Sequence, residues 1–132
     1  MADTLQFELV SPERKLASVA ALRVTIPGMS GDMTAMPNHA PFLTTLRPGV
    51  VRIEAAGETV EFVVTGGFAE VSRESATILA EQAVPRDAGA REMIADLIAA
   101  TEKEFAAASD DLRQQIDQRL RDARHLGGIL GA

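Results

Sequence analysis

The sequence predicts an α+β protein that is mainly β, with an N-terminal antiparallel β-sandwich in residues 1–85 and a C-terminal antiparallel α-helical hairpin in residues 86–132. Two patterns predict this fold. Before Pro85, short segments alternate apolar and polar residues and are separated by turns that contain glycine or proline. After Pro85 there is no proline, alanine becomes common, and apolar residues recur at the spacing of a helix.

The composition restricts what the protein can bind. The chain has 132 residues, the size of one domain, and its 13 Lys and Arg against 19 Asp and Glu give a net charge of −6. This charge opposes binding to nucleic acid and to anionic lipid, so we expect no nucleic-acid partner. The longest uncharged run, residues 33–46, is too short to span a bilayer and contains two prolines, so we expect no direct membrane insertion.

Four segments of the sandwich show the period-two alternation of half-buried strands: residues 4–9, 22–26, 51–54 and 60–64. Residues 68–71 are interpreted as another strand. No helical segment separates them, which argues against parallel βαβ units and favours antiparallel pairing. The Gly66-Gly67 pair precedes a strand, whereas a phosphate-binding loop precedes a helix. We therefore interpret these glycines as a tight bend or bulge between strands.

Two helices are predicted in the hairpin. The first covers roughly residues 88–106 with Asp87 as its N-cap, and the second begins at a cap formed by residue 109, 110 or 111 and ends at Gly127-Gly128. The apolar stripe of the first helix is Met93, Ile94, Leu97, Ile98 and Phe105. The apolar stripe of the second is Leu112, Ile116, Leu120 and Ala123. Both stripes are narrow, so we expect the hairpin to be weakly attached and movable.

Charge is divided unevenly between the two helices. Residues 87–111 contain two basic and seven acidic residues, whereas residues 112–132 contain four basic and two acidic residues. Opposite charges favour pairing of the helices, and they also suit the last helix to an acidic partner. The four basic side chains are Arg113, Arg119, Arg121 and Arg124.

No catalytic constellation is recognisable in the sequence. The absence of cysteine excludes disulfides, thiolate catalysis and cysteine-ligated metal sites. His39 lies between Pro37 and Pro41 without a neighbouring Asp, Glu or Ser, so we interpret it as a residue that fixes a turn or contacts a partner. We expect no catalytic, metal or cofactor site. An enzyme that uses His39 with a distant carboxylate stays an open, weaker alternative.

Four stretches resemble the epsilon subunits of bacterial F-type ATP synthases. They are Phe7-Glu8-Leu9-Val10-Ser11-Pro12, Gly31-Asp32-Met33, PNHAPFLTTLRPGVVRI at 37–53 and VTGGFAEVSRESATILAE at 64–81. They follow in order along nearly all of residues 5–84, and the spacing from HAP to PG to GG-x-x-x-V is specific. The hairpin is similar to the family in length and pattern.

The resemblance implies a non-catalytic rotor subunit of the central stalk, whose sandwich binds the gamma subunit and the c-ring and couples proton flow to ATP synthesis. It also implies a peripheral position on the cytoplasmic face of the bacterial inner membrane. The implied contacts with the c-ring or gamma are Gly31, Asp32, Met33, His39 and Pro41. Contacts of the hairpin with the alpha and beta subunits, through the four arginines of residues 112–132, would regulate ATP hydrolysis.

Within the resembling loop, Thr34 and Asn38 stand where the family commonly has glycine. Asn tolerates positive φ better than most residues, so we expect that turn to form. The early end predicted for the last helix at Gly127-Gly128 implies weak inhibition of hydrolysis.

A nucleotide-sensing module whose hairpin closes on ATP is the alternative function. Family members that bind ATP carry an Asp-x-x-Arg pattern at the start of the first helix. Arg91 matches the arginine, but Ala88 stands where the aspartate belongs. Asp87 is one residue out of register, which rotates its carboxylate by about 100° on a helix. We therefore expect ATP binding to be weak or absent.

Overall fold

The computed structural model describes residues 3–131, and within that range it contains ten strands and two helices. They are β1 (Leu5–Val10), β2 (Lys15–Ala21), β3 (Arg23–Gly28), β4 (Gly31–Ala35), β5 (Phe42–Leu46), β6 (Gly49–Ala55), β7 (Glu58–Val64), β8 (Gly67–Val71), β9 (Ser75–Ala80), β10 (Ala83–Pro85), α1 (Ala88–Ala107) and α2 (Asp110–Leu130). The predicted fold class, a mainly β sandwich followed by a helical hairpin, is confirmed.

The strands form one hydrogen-bonded path, in the order β10-β7-β6-β3-β5-β8-β9-β1-β2, with β4 paired to β3. A single residue pair, Gly28 with Leu46, joins β3 to β5. At this narrow link the path folds over, so that β10, β7, β6 and β3 form one layer and β5, β8, β9, β1 and β2 form the other. Apolar side chains from both inner faces fill the space between the layers.

One strand pair departs from the predicted antiparallel arrangement. β1 and β9 are parallel, with Phe7 opposite Ala76 and Leu9 opposite Ile78. A parallel pair requires a long crossover connection, and here the intervening strands of the sandwich supply it instead of a helix. The other strand pairs among the described residues are antiparallel.

The core follows from the alternation in the sequence. Leu5, Phe7 and Leu9 project from one face of β1 into the space between the layers and are almost completely buried. Ile78 on the neighbouring strand β9 is buried beside them. Because successive strand residues point to opposite faces, the residues between them, such as Gln6, remain exposed.

The N-terminal ends of the two helices are formed differently. Asp87 caps α1 as predicted, because its Oδ1 accepts a hydrogen bond from the Gly89 N–H at 2.9 Å. Ser109 is the N-cap of α2 but makes no side-chain capping bond. The two-residue link, Ala108-Ser109, folds α2 back antiparallel to α1, as predicted.

The predicted end of α2 at Gly127-Gly128 is wrong. The helix continues to Leu130 and is capped by Gly131, whose φ of 76° is left-handed and whose N–H bonds to the carbonyls of Gly127 and Gly128. Gly127 is buried where the two helices approach closely, because a Cβ there would lie 3.3 Å from Ile98 Cδ1. The glycine thus serves helix packing rather than termination. Neither helix within residues 3–131 combines the length and the apolar composition that a bilayer crossing requires.

The hairpin lies against the sandwich through a small separate cluster of buried residues. This hairpin cluster consists of Val63, Ala90, Ile94, Leu126 and Leu130. Val63 belongs to β7, so the cluster joins the outer side of one layer to the first half of α1 and the last turns of α2. The small size of this cluster agrees with the expectation that the apolar stripes of the two helices are narrow.

Candidate interaction surfaces

The turn between β3 and β4 forms a rigid tip at one end of the sandwich. Gly31 has a φ of 135°, which favours glycine, and it pairs with Gly28 across the turn. Asp32 accepts a hydrogen bond from Arg47 Nη2 at 2.5 Å, and Arg47 Nη1 donates to the Gly28 carbonyl at 3.3 Å. Arg47 therefore ties this tip to the following turn and holds the Asp32 carboxylate in place.

The tip presents both acidic and apolar surface. Asp32 is 65% exposed, so the carboxylate retains acceptor capacity beyond its bond to Arg47. Met29 is also exposed, and its N–H donates to the Thr45 carbonyl at 3.1 Å. Met33 is half-buried and packs its sulfur against Gly28. The chemistry of the tip suits a partner that offers basic or hydrogen-bond-donating groups beside apolar ones.

His39 fixes the loop between β4 and β5. Its Nδ1 lies 2.9 Å from the Ala40 carbonyl and can donate a hydrogen bond to it, and its ring contacts Phe42 edge-on. Asn38 adopts a φ of 65°, so the turn forms with asparagine as expected. Thr34 lies in β4 opposite Thr25, in extended backbone that does not need glycine. These contacts support a turn-fixing role for His39.

The structure does not bring all the predicted interface residues together. Gly31, Asp32 and Met33 lie at the tip, beside the end of β5 at Leu46. His39 and Pro41 lie beside the start of the same strand at Phe42, which is about 13 Å away at 3.3 Å per residue. The two groups therefore lie near opposite ends of β5, which belongs to the second layer.

Sequence reasoning missed a patch of exposed apolar side chains on the outside of that layer. This outer apolar face consists of Leu43, Phe68 and Leu79 on β5, β8 and β9, each more than half exposed. Phe68 and Leu79 are directly paired across β8 and β9, and Leu43 lies on the same face one row away. The signal was present in the sequence, because large apolar residues stand here at the outward positions of the alternation.

The four arginines of α2 are engaged within the hairpin. Arg119 binds Glu104 and Arg124 binds Glu102, so both pairs cross from α2 to α1. Arg121 pairs with Asp117 on its own helix. Arg113 lies over the ring of Phe105 and donates to the Ala108 carbonyl. The prediction that opposite charges favour pairing of the helices agrees with these contacts.

An acidic cleft of about 530 Å³ lies between α1 and the end of the sandwich. Glu13, Glu81, Glu92 and Asp96 line it, with Arg14 as the basic side chain. Four carboxylates against one guanidinium repel a polyphosphate. Within residues 3–131, no group of three or more His, Asp or Glu side chains is placed to hold a metal ion.

Arg91, which matches the nucleotide motif of the family, does not line this cleft. Its Nε donates a hydrogen bond of 2.8 Å to the carbonyl of Leu130, in the last turn of α2. Arg91 and the carboxylates of this cleft therefore do not form a preformed phosphate site there.

Comparison with known proteins connects the chain to one family. The family model for the beta-sandwich domain of the ATP synthase Delta/Epsilon chain matches residues 4–86. The ATP synthase epsilon chain of Ruegeria sp. (strain TM1040) is 52% identical over 111 residues, which cover 84% of this chain and 81% of the relative. The ATP synthase epsilon chain of Rhodobacter capsulatus is 48% identical over 127 residues, covering 96% of both chains.

A solved structure shares the fold. A chain in the cryo-EM structure of Euglena gracilis mitochondrial ATP synthase, OSCP/F1/c-ring, matches with a TM-score of 0.72 at 22% identity, over 96% of this chain and 81% of that chain. Together with the sequence matches, which span the sandwich and extend through the hairpin, this establishes that the chain belongs to the family of ATP synthase epsilon chains.

Proposed function

We propose that the chain is a non-catalytic rotor subunit in the central stalk of an F-type ATP synthase, where it helps couple proton translocation through the c-ring to ATP synthesis. Its relationship to ATP synthase epsilon chains over nearly the whole sequence carries this proposal. The role of a rotor subunit requires a stiff body with specific binding surfaces and no reacting group. A packed sandwich suits it, because close-packed interiors resist deformation.

The gamma subunit binds the outer apolar face. Leu43 is 70% exposed and Phe68 and Leu79 are each 53% exposed, which is unusual for side chains of this size grouped on one sheet. Covering a leucine or phenylalanine completely contributes about 1.5–3 kcal/mol, so this face supplies the apolar centre of a stable interface. His39 and Pro41 precede Leu43 by four and two residues, so we place them in this proposal at the border of the gamma contact.

The c-ring binds the tip formed by Gly31, Asp32 and Met33. The carboxylate of Asp32 points to solvent from a position that Arg47 fixes, and fixed charges are better recognition groups than mobile ones. The tip lies beside the end of β5 at Leu46, and His39 and Pro41 lie beside its start, so both partners can be bound at once. The chain is then held peripherally at the cytoplasmic face of the bacterial inner membrane through the complex.

The hairpin carries any regulation of ATP hydrolysis. Arg113, Arg119, Arg121 and Arg124 are exposed enough to contact acidic surfaces of the alpha and beta subunits, but Arg119 and Arg124 must first leave their partners on α1. The alternative function, an ATP sensor that uses Arg91, is disfavoured by the engagement of Arg91 with Leu130 and by the carboxylates of the cleft beside the start of α1.

Co-expression with the gamma subunit of the same organism, followed by size-exclusion chromatography with light scattering, tests the proposal. We expect a one-to-one complex, and at least a tenfold loss of affinity on Phe68→Asp, because a charge is buried in the apolar centre of the interface. Leu112→Asp is the matched control, since Leu112 is equally exposed but lies on α2.

Asp32→Lys distinguishes binding to the c-ring from binding to the gamma subunit. We expect this variant to keep the gamma complex and to bind membranes that contain the c-ring at least tenfold more weakly. A chain that stays monomeric beside folded gamma, or a Phe68→Asp variant that binds gamma as the unsubstituted chain does, would contradict the proposal.

A further inference from the structure

The contacts between the hairpin and the sandwich are concentrated at one end of the hairpin. The hairpin cluster contains Ala90 and Ile94 from the first turns of α1 and Leu126 and Leu130 from the last turns of α2. At the other end of the hairpin, Leu112 is exposed and Phe105 is only half-buried. Detachment of the hairpin therefore requires that this end separates from Val63 and from the partly buried Val50 and Val84 of the sandwich.

Arg91 makes a bond across that end. Its Nε donates to the Leu130 carbonyl at 2.8 Å, although the two residues are 39 positions apart. The same guanidinium lies beside Gly131, because a Cβ on that glycine would be 3.6 Å from Arg91 Nη2. The carbonyl of Leu130 stands at the C-terminal end of the helix, where partial negative charge accumulates, so a guanidinium placed there both satisfies and stabilises it.

The turn that Arg91 holds is intrinsically weak. Glycine lowers helix stability relative to alanine, and residues 127 and 128 are both glycine. Packing explains the glycine at position 127, since the absence of a side chain lets α2 approach Ile98. A Cβ on Gly128 would meet nothing within 4 Å, and this residue is exposed. Packing does not require a glycine at position 128, so its effect is to make the last turn easy to unwind.

From these observations we infer that the last turn of α2, residues 127–131, is a releasable clasp that Arg91 closes. Unwinding of the clasp removes Leu130 from the hairpin cluster and leaves Leu126 as the buried residue of α2 in it. Opening of the clasp is thus the first step by which the hairpin leaves the sandwich. This property belongs to the chain itself and does not depend on any partner subunit.

Hydrogen exchange of the full-length chain without partners, followed by mass spectrometry, tests the clasp. Arg91→Ala should speed exchange of residues 126–131 about two- to fivefold, the effect of removing a cation from a helix C-terminus. Gly128→Ala should slow exchange of the same residues about two- to fivefold, because alanine stabilises an exposed helical position. Strands β1 and β9 should exchange as in the unsubstituted chain.

Arg121→Ala is the matched control. Arg121 is another exposed arginine of the hairpin, but it pairs with Asp117 within α2 and does not reach α1. We expect it to change exchange of residues 126–131 by about 1.5-fold or less. Arg91→Lys retains the charge without the guanidinium N–H geometry and should give an intermediate rate.

Unchanged exchange in Arg91→Ala, an equal change in Arg121→Ala, or unchanged exchange in Gly128→Ala would overturn the clasp. Faster exchange that includes β1 and β9 would overturn it too, because it would show general destabilisation. A failure to bind gamma would overturn the proposed function and leave the clasp intact, so the two outcomes are distinguishable.

Discussion

Within the described residues, the sandwich and the hairpin are stabilised by cores of very different size. The core of the sandwich consists of 18 buried apolar residues, which interlock from both layers, whereas the hairpin cluster contains five. Since the hydrophobic contribution grows with buried apolar area, the sandwich has a much larger share of the stability. We therefore predict that the hairpin can separate while the sandwich remains folded.

The two regions also differ in the kind of contact that supplements the core. In the sandwich, backbone hydrogen bonds run between strands, as in the seven-residue register of β6 with β7. In the hairpin, the two helices are bridged by ion pairs whose side chains are about half exposed, such as Arg119 with Glu104. Solvent and salt weaken such pairs, so we expect the ion pairs between the helices to be more sensitive to salt than the strand pairing of the sandwich.

The largest effect is expected for Gly67→Ala in the sandwich. Gly67 has a φ of 131°, and a Cβ there would lie 2.0 Å from the Leu79 carbonyl oxygen. Because the clash is with backbone, β8 and β9 must separate, and we expect a loss of about 4 kcal/mol or more in the free energy of unfolding. Urea denaturation followed by circular dichroism measures it.

Gly57→Ala is the control for backbone strain alone. Gly57 also has a positive φ, of 82°, but a Cβ there would meet nothing within 4 Å. We expect a loss of about 1–2 kcal/mol, the cost of a left-handed conformation without a clash. Equal losses in the two variants would contradict the close approach of β8 to β9.

Much of each region could be predicted where the determinants are local. The alternation of Leu5, Phe7 and Leu9 predicts β1, since only one face of a strand reaches the core. The Asp87 cap and the apolar stripe predict α1 to within one residue of its end at Ala107. The fold class follows from the same local patterns.

The features that could not be predicted depend on residues distant in sequence. β2 was missed because its apolar residues, including Leu16 and Ala17, do not alternate clearly, and its partner β1 specifies it as a strand. The end of α2 was misplaced because Gly127 packs against Ile98 of the other helix. The outer apolar face depends on the register that pairs Phe68 with Leu79.

The next largest effect is expected for Ile94→Ala in the hairpin. Ile94 is fully buried in the hairpin cluster, and its truncation costs about 2–4 kcal/mol through lost burial and the cavity left behind. Because the cluster is separate from the core of the sandwich, this loss should detach the hairpin and leave the sandwich folded. Limited proteolysis should cut within residues 88–131 first.

Ile129→Ala is the matched control, because Ile129 is 51% exposed on the other helix. We expect this variant to lose less than about 0.5 kcal/mol in the free energy of unfolding and to show no change in proteolysis. If the sandwich unfolds together with the hairpin in Ile94→Ala, the two regions form one cooperative unit. That result would contradict the separate stabilisation of the sandwich and the hairpin.

A smaller effect is expected at the helix caps. Asp87→Ala removes the bond to the Gly89 N–H and should destabilise the start of α1 by about 1 kcal/mol. Ser109→Ala is the control, since Ser109 occupies the N-cap of α2 without a side-chain bond and should change little. Hydrogen exchange in the first turn of each helix distinguishes them, and equal effects would contradict the difference in capping.

The smallest effect is expected for Glu104→Gln, which removes the charge that Arg119 binds. Since both side chains are about half exposed, the loss of stability should be about 0.5 kcal/mol or less and should vanish as sodium chloride approaches about 1 M. Thermal unfolding at low and high salt checks this. A larger loss that persists at high salt would show a shielded pair instead. A weak, salt-sensitive pair leaves Arg119 available to an acidic partner surface at little cost, which is what a releasable hairpin requires and a rigid sandwich does not.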